Sequence, residues 1–305
     1  MRVSPWSCFG ISEAEIRATS LRPPGSRRAR SLITTRGSGP SHERPLERIA
    51  DAAGFGQDDG DLLNGVWIIW IEATLLHAER NFEGAHARID EALALDQGEL
   101  RARLLYTKAR IVEATADLRQ STALLAEAAS LVDLSREPRF AAALKLQLLV
   151  NLCDQGRASE AEQGLAALHQ LTESLGREPD LFRVLWLQGR VGAALGRITD
   201  ARTCFDEVRR YFEQHGIAYD YALVSLELSL VLLKDSETAR VRILATEMFW
   251  IFHSQGVPEN ALAALRVFCE AAEREEATIE LTQRVLDFLR RTTHDSGAVF
   301  SSEGS

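Results

Sequence analysis

The stretch LFRVLWLQGRVGAALGRITDARTCFDEVRR, residues 181–210, reads as two helices joined by a tight turn at Gly196-Arg197. Glycine at such a turn supplies the left-handed conformation that commonly ends a helix. Leu185 and Gly189 on the first helix, then Ala201, Phe205 and Val208 on the second, fall at helical spacing. Small residues belong where paired helices approach closely, because a large side chain there would wedge them apart. Counting outward from Gly189, the same phase is held by Leu149, Ser229 and Cys269, each 40 residues from the next. A period of this length marks a solenoid, whose units cannot bury their apolar faces alone and so stack on their neighbours.

Working outward, the pattern predicts six helical pairs. They run Leu63 to about Arg80 with Phe82 to Leu95, and about Gly98 to Thr115 with Arg119 to Val132. Phe140 to Asp154 is followed by Ala158 to Leu175, and Leu181 to Leu195 by Thr199 to His215. Tyr219 to Leu233 with Glu237 to Ser254, and Asn260 to Glu273 with Ala277 to Arg291, complete the array. Between the second and third pairs Pro138 disfavours helix at the residue before it. Gly216 and Gly256 repeat one linker a period apart. The Ala/Leu/Glu/Arg-rich texture after residue 60 favours helix throughout, and no strand alternation is present there. The fold class read from the sequence is all-α.

These residues resemble a tetratricopeptide repeat array. Leu185, Gly189, Ala201, Phe205 and Val208 match that family's order of bulky and small residues, as do Ile69, Ala73, Ala85, Ile89 and Ala92. Weaker copies keep Ala109, Leu125 and Ala128, or Leu149, Leu152, Ala161 and Leu165, with Leu149 where a small residue is expected. The period of about 36–40 exceeds the family's 34. The resemblance covers roughly residues 61–291 and implies a right-handed α-solenoid of about six antiparallel helix pairs. The C-terminal half is also similar to the repeat regions of bacterial regulatory proteins that carry an N-terminal helix-turn-helix domain, although no such domain is visible here.

Residues 1–60 form a basic, Pro/Gly/Ser-rich segment that is expected not to pack, residues 61–291 a helical repeat domain, and residues 292–305 a flexible tail. Net charge is −9, with nine Arg against four Glu in the first 48 residues. An acidic repeat body does not attract phosphate, so nucleic acid is expected to be contacted, if anywhere, by the basic arm around Arg27, Arg28 and Arg30. Cys8, Cys153, Cys204 and Cys269 show no metal spacing, and Cys204 and Cys269 fall on apolar helix phases. That usage fits a reducing cytoplasm. No apolar run reaches the roughly 18 residues needed to span a bilayer.

The common motifs of phosphate-binding loops, zinc proteases and nucleophile elbows are absent, and the seven His are scattered. The expectation is a protein without catalytic residues, metal or cofactor. The resemblance implies a concave groove, lined by the first helix of each pair, that holds a protein or peptide partner. Projected onto this chain, the groove phases are Trp70, His77, Arg103, Tyr106, Arg110, Leu146, Arg183, Trp186, Arg190, Leu226, Leu230 and Lys234. Trp70, Arg103, Tyr106, Arg110, Arg183, Trp186 and Arg190 are the candidate partner-binding residues. Arg pairs seven apart beside aromatic anchors suit an acidic or carboxylate-bearing peptide. The competing reading places both Trp in the core and the Arg in solvent. The function expected is a binding scaffold in bacterial signalling or transcriptional control. The alternative is a ligand- or peptide-sensing repeat domain acting on a DNA-binding domain. The apolar run Val224 to Leu233 is a candidate homodimer face.

Overall fold

The structure, a computed structural model, describes residues 61–96, 98, 100–115, 117–254, 259–292 and 300. The expectations for residues 1–60, and for the tail beyond residue 292 apart from Phe300, lie outside the described residues. Twelve helices occupy the described chain. They are α1 (Asp61–Ala78), α2 (Phe82–Leu95), α3 (Arg101–Ala114), α4 (Leu118–Leu131), α5 (Pro138–Asp154), α6 (Ala158–Leu175), α7 (Glu178–Ala194), α8 (Ile198–Gln214), α9 (Ala218–Lys234), α10 (Thr238–Ser254), α11 (Glu259–Glu273) and α12 (Ile279–Thr292). Consecutive helices pack as pairs, and each second helix also packs on the first helix of the next pair within its unit. No strand is present among the described residues.

The chain forms two compact units, one containing α1–α4 and ending at Val132, the other beginning at Asp133 and containing α5–α12. The first has a core of Val66, Trp70, Ala73, Ala85, Ile89, Ala92, Leu104 and Ile111. The second has a continuous core from Trp186 on α7 to Leu289 on α12.

One device closes most of the pairs. After the first helix comes a residue of positive φ, and the next N–H donates back to the carbonyl five residues earlier. Gly156 (φ 75°) and Gly196 (φ 78°) fill this position after α5 and α7, with Arg157 bonding Leu152 and Arg197 bonding Gly192. Arg80, Ser236 and Glu275 fill it elsewhere without being glycine, and the same bond recurs from Asn81, Glu237 and Glu276. Asn81 and Asp117 cap α2 and α4 by accepting from the backbone N–H three residues on. Helix α5 begins two residues before the sequence expectation because Pro138 is its first residue, where a missing N–H costs no helical bond. Glu178 and Pro179 extend the start of α7 in the same way.

The pairing depends on close approach at one level of each pair. A Cβ on Gly189 would stand 2.8 Å from the Phe205 ring, so α7 and α8 touch through a ring laid on bare backbone. In α5/α6 the roles are exchanged. Leu149 takes the position of Gly189, and the small residue is Gly164 on α6, where a Cβ would lie 2.6 Å from Leu149 Cδ2. Ser229 and Cys269 occupy the same phase and are both buried, as is Cys204.

One expectation is corrected. The run Val224 to Leu233 is not a free face. Val224, Leu226, Leu228, Val231 and Leu232 lie in the core, because α9 is enclosed by α8, α10 and α12.

Gly164→Ala is expected to lower the unfolding free energy by about 1–3 kcal/mol through overpacking, and Leu149→Ala by about 2–5 kcal/mol through the cavity it leaves. In the double variant the new methyl enters the space vacated by Leu149. Its loss should therefore fall short of the sum of the two by about 1 kcal/mol. Urea unfolding of the four proteins measures this, and strict additivity would show that the two positions do not share their packing.

Candidate functional site

The site is built on a carboxylate in an apolar helix. Glu227 lies in the α9 run LVSLELSLVLL, and its side chain is only 6% exposed. A carboxylate carried into such surroundings requires cations and hydrogen-bond donors. Three side chains from neighbouring helices provide them. Trp186 Nε1 on α7 donates to Glu227 Oε2 at 2.5 Å. Arg190, one turn further along α7, places Nε 3.2 Å from Glu227 Oε1. Arg290, near the end of α12, bonds the same Oε1. Arg190 also donates to Asp154 at the end of α5. The network therefore joins α5, α7, α9 and α12 through two guanidinium groups and two carboxylates, and its formal charges balance.

Burial pulls the Arg190 guanidinium toward neutrality, but the charges of Asp154 and Glu227 outweigh it and hold the pKa above the ordinary arginine value. Cys153, beside this cluster, has its thiol pushed up by burial, an effect that the Arg190 charge opposes. It stands as a thiol, not a thiolate nucleophile. Among the described residues, no group of three or more His, Cys, Asp or Glu side chains is arranged to hold a metal ion.

The seven residues predicted from sequence fall in the two units. In the first, Trp70 is buried and its Nε1 donates to Thr107 Oγ1 at 2.7 Å, stitching α1 to α3. Arg103 and Tyr106 are buried on α3. Arg110 makes two hydrogen bonds to Glu113, at 2.9 and 3.0 Å. In the second unit, Arg183 donates to Asp180 at 2.8 Å, while Trp186 and Arg190 join at Glu227. The Trp and Tyr rings are thus core side chains, and each of Arg110, Arg183 and Arg190 is matched by a carboxylate of this chain rather than left in solvent. The physical reason is that the face of each first helix that meets the next first helix overlaps the phase assigned to an open groove. Leu226 is buried because α9 is enclosed by α8, α10 and α12.

Glu227, Asp154 and Arg290 were absent from the sequence prediction. The one available signal was the lone acid in the run VSLELSLVLL, 41 residues after Trp186 and so about one period on. Nothing in the local pattern of α12 indicates that Arg290 reaches across to α9.

A second polar cluster ties α8, α9 and α10. Arg209 lies over the Tyr221 ring with its guanidinium carbon 5.0 Å from the centroid. It donates to Ser225 Oγ at 2.9 Å, to Tyr221 Oη at 2.6 Å and to Glu247 at 2.7 Å. Burial raises the Tyr221 phenol to about 12, with Arg209 opposing and Glu247 adding to the shift.

No protein-family model matches the sequence, and no curated protein matches it. Among solved structures, the fold is similar to the crystal structure of a Rap protein complexed with competence and sporulation factor. The TM-score is 0.61 at 13% identity, over 82% of this chain and 70% of that one. It is also similar to the apo form of RapI, with a TM-score of 0.52 at 11% identity over 93% of this chain and 99% of that one. At these identities the likeness is one of fold, and it agrees with the all-α helical-repeat class. No described helix is long and apolar enough to cross a membrane.

Two outcomes test this geometry. Glu227→Ala leaves Arg190 buried beside a missing partner and is expected to lower stability by about 3–5 kcal/mol, part of which Arg190→Met added to it should restore. Thermal unfolding of the single and double variants decides, and a double variant worse than Glu227→Ala would refute the pairing. For Tyr221, the unfolded chain releases the phenol proton near pH 10 while the folded chain keeps it to about 12. Its contribution is therefore complete below pH 10 and is lost, to the extent of about 2–3 kcal/mol, as the pH rises toward 12. Tyr221→Phe should flatten the stability–pH curve in that window, and ultraviolet absorbance titration should find one late-ionising tyrosine fewer.

Proposed function

We propose that this protein is a non-enzymatic helical-repeat scaffold that binds a protein or peptide partner along the layer of first helices. The observation that carries this reading is the Trp186–Arg190–Glu227–Asp154 network, which braces α5, α7 and α9 against one another on the layer where a groove would open. A surface held this rigidly presents its remaining groups at fixed spacing, which favours binding by limiting the entropy lost on association. The fold likeness to a Rap protein complexed with competence and sporulation factor supports a ligand-holding role for such an array.

In this reading the direct contact on the second unit is Arg183 and, taken separately, that on the first unit is Arg110, both partly exposed. Trp70, Arg103, Tyr106, Trp186 and Arg190 set the shape of the surface beneath them. An acidic partner is accommodated by exchange, its carboxylate taking the place of Asp180 on Arg183 or of Glu113 on Arg110. Such exchange replaces one charge-assisted bond with another and so gives selectivity more than affinity. Action in bacterial signalling or transcriptional control, in the cytoplasm, completes the proposal.

Site-specific photocross-linking in host cells tests it without disturbing the buried network. A photoreactive amino acid at Arg183 is expected to capture a defined partner that the same group at the exposed Arg210 of α8 does not. Capture only from Arg210, or from neither position, would remove the groove assignment.

A further inference from the structure

The last described helix does not continue the stacking of the others. Within this unit α7 contacts both α5 and α9, so first helix follows first helix. At the end of the array the helix packed on α9 is instead α12, the second helix of the final pair, while α11 packs on α10 and α12. Two polar contacts mark where α12 crosses α9. Tyr219 Oη donates to the Leu289 carbonyl, and eight residues further along α9 Glu227 takes the Arg290 guanidinium. The consequence shows in burial. On α9 every residue from Asp220 to Ser229 is buried, whereas α7 keeps Arg183, Leu185, Gln188 and Arg190 partly exposed or exposed.

Helix α12 is built to be such an occupant. Thr278 caps its start, accepting from Leu281 N at 3.2 Å. Thr282, Val285, Leu286, Phe288 and Leu289 form its buried side, while Glu280 is exposed. Its apolar positions thus recur at helical spacing on one face, with a cation just after the last of them.

We infer that the α9 face is a receptor for an amphipathic helix, that α12 is its intramolecular occupant, and that the partner is a helix of the same kind, with a Val-Leu-x-Phe-Leu-like stripe followed by Arg or Lys. This rests on the reading of the first-helix layer as the binding surface and adds the class of partner. Exchange is energetically reasonable because an incoming helix reburies what α12 uncovers. The barrier to it is the high effective concentration of a tethered segment, not the whole of the lost burial. The Arg290–Glu227 bond is the latch, because it is a charge pair that joins α12 to a buried carboxylate of α9.

The test uses the full-length chain and a synthetic peptide with the sequence of residues 278–290. Arg290→Glu sets two carboxylates against each other at the latch. In that variant, amide hydrogen exchange in α12 should accelerate about tenfold or more while α7 and α8 keep their protection. The peptide should bind it about tenfold more tightly than it binds the wild type, and a peptide carrying Glu at the Arg290 position should lose that gain. Unchanged exchange in α12 would overturn the latch, and a loosened α12 without peptide binding would overturn the receptor. Should Arg290→Glu disrupt the whole unit, Tyr219→Phe, which removes the hydroxyl bond to the Leu289 carbonyl, decides by the same readouts. A partner cross-linked from Arg183 together with no peptide binding would sink this inference and leave the scaffold standing. Peptide binding with no cross-link from Arg183 would keep the α9 receptor and remove Arg183 from the contact surface.

Discussion

The architecture rests on how closely two helices of a pair can approach. Where Phe205 lies on Gly189, the ring meets backbone directly, which fixes how closely α7 and α8 approach at that level. The exchange of roles at Leu149 and Gly164 shows that the constraint is on the sum of the two side chains, not on either position. A repeat can therefore lose the expected small residue of its first helix and remain in register, provided the second helix yields the space. That explains how a chain whose copies match a common pattern so unevenly still forms regular pairs.

A second layer of order joins neighbouring pairs. Trp70 to Thr107, Trp186 to Glu227 and Arg190 to Asp154 are each separated by about one period. Arg209 to Glu247 and Arg240 to Asp206 repeat the arrangement among the second helices. In a solenoid only nearest neighbours touch, so such stitches are the means by which one pair fixes the angle of the next. Exposed pairs of this kind contribute little individually. The group at Glu227 differs because Glu227 and Arg190 are themselves buried, so losing a charged member unbalances charge that water does not screen.

The fold was legible to within a few residues because its signals are local. Gly156 and Gly196 mark turns, and Ala85, Ile89 and Ala92 fall on one face of α2, where all three are buried. The extra residues at the starts of α5 and α7 follow from prolines that tolerate the first turn of a helix as well as they break its interior. Arg80, Ser236 and Glu275 were less legible as turn formers, since each takes a left-handed conformation that its residue type does not announce.

The candidate site was legible in part, for a reason that lies in the geometry. Phase along a helix says which side a residue is on, but in a stacked array one side of a first helix serves both the neighbouring pair and the open surface. Trp186 and Arg190 were assigned to one groove-facing phase of their helix; what they meet is Glu227, and that meeting depends on α9 lying one period away. Arg290 lies further still from local reasoning, because α12 reaches α9 only by departing from the repeat that predicts everything before it. A periodic sequence is most informative where the structure is periodic. At α12, which covers the apolar face of α9 in place of a further first helix, the period ceases to inform.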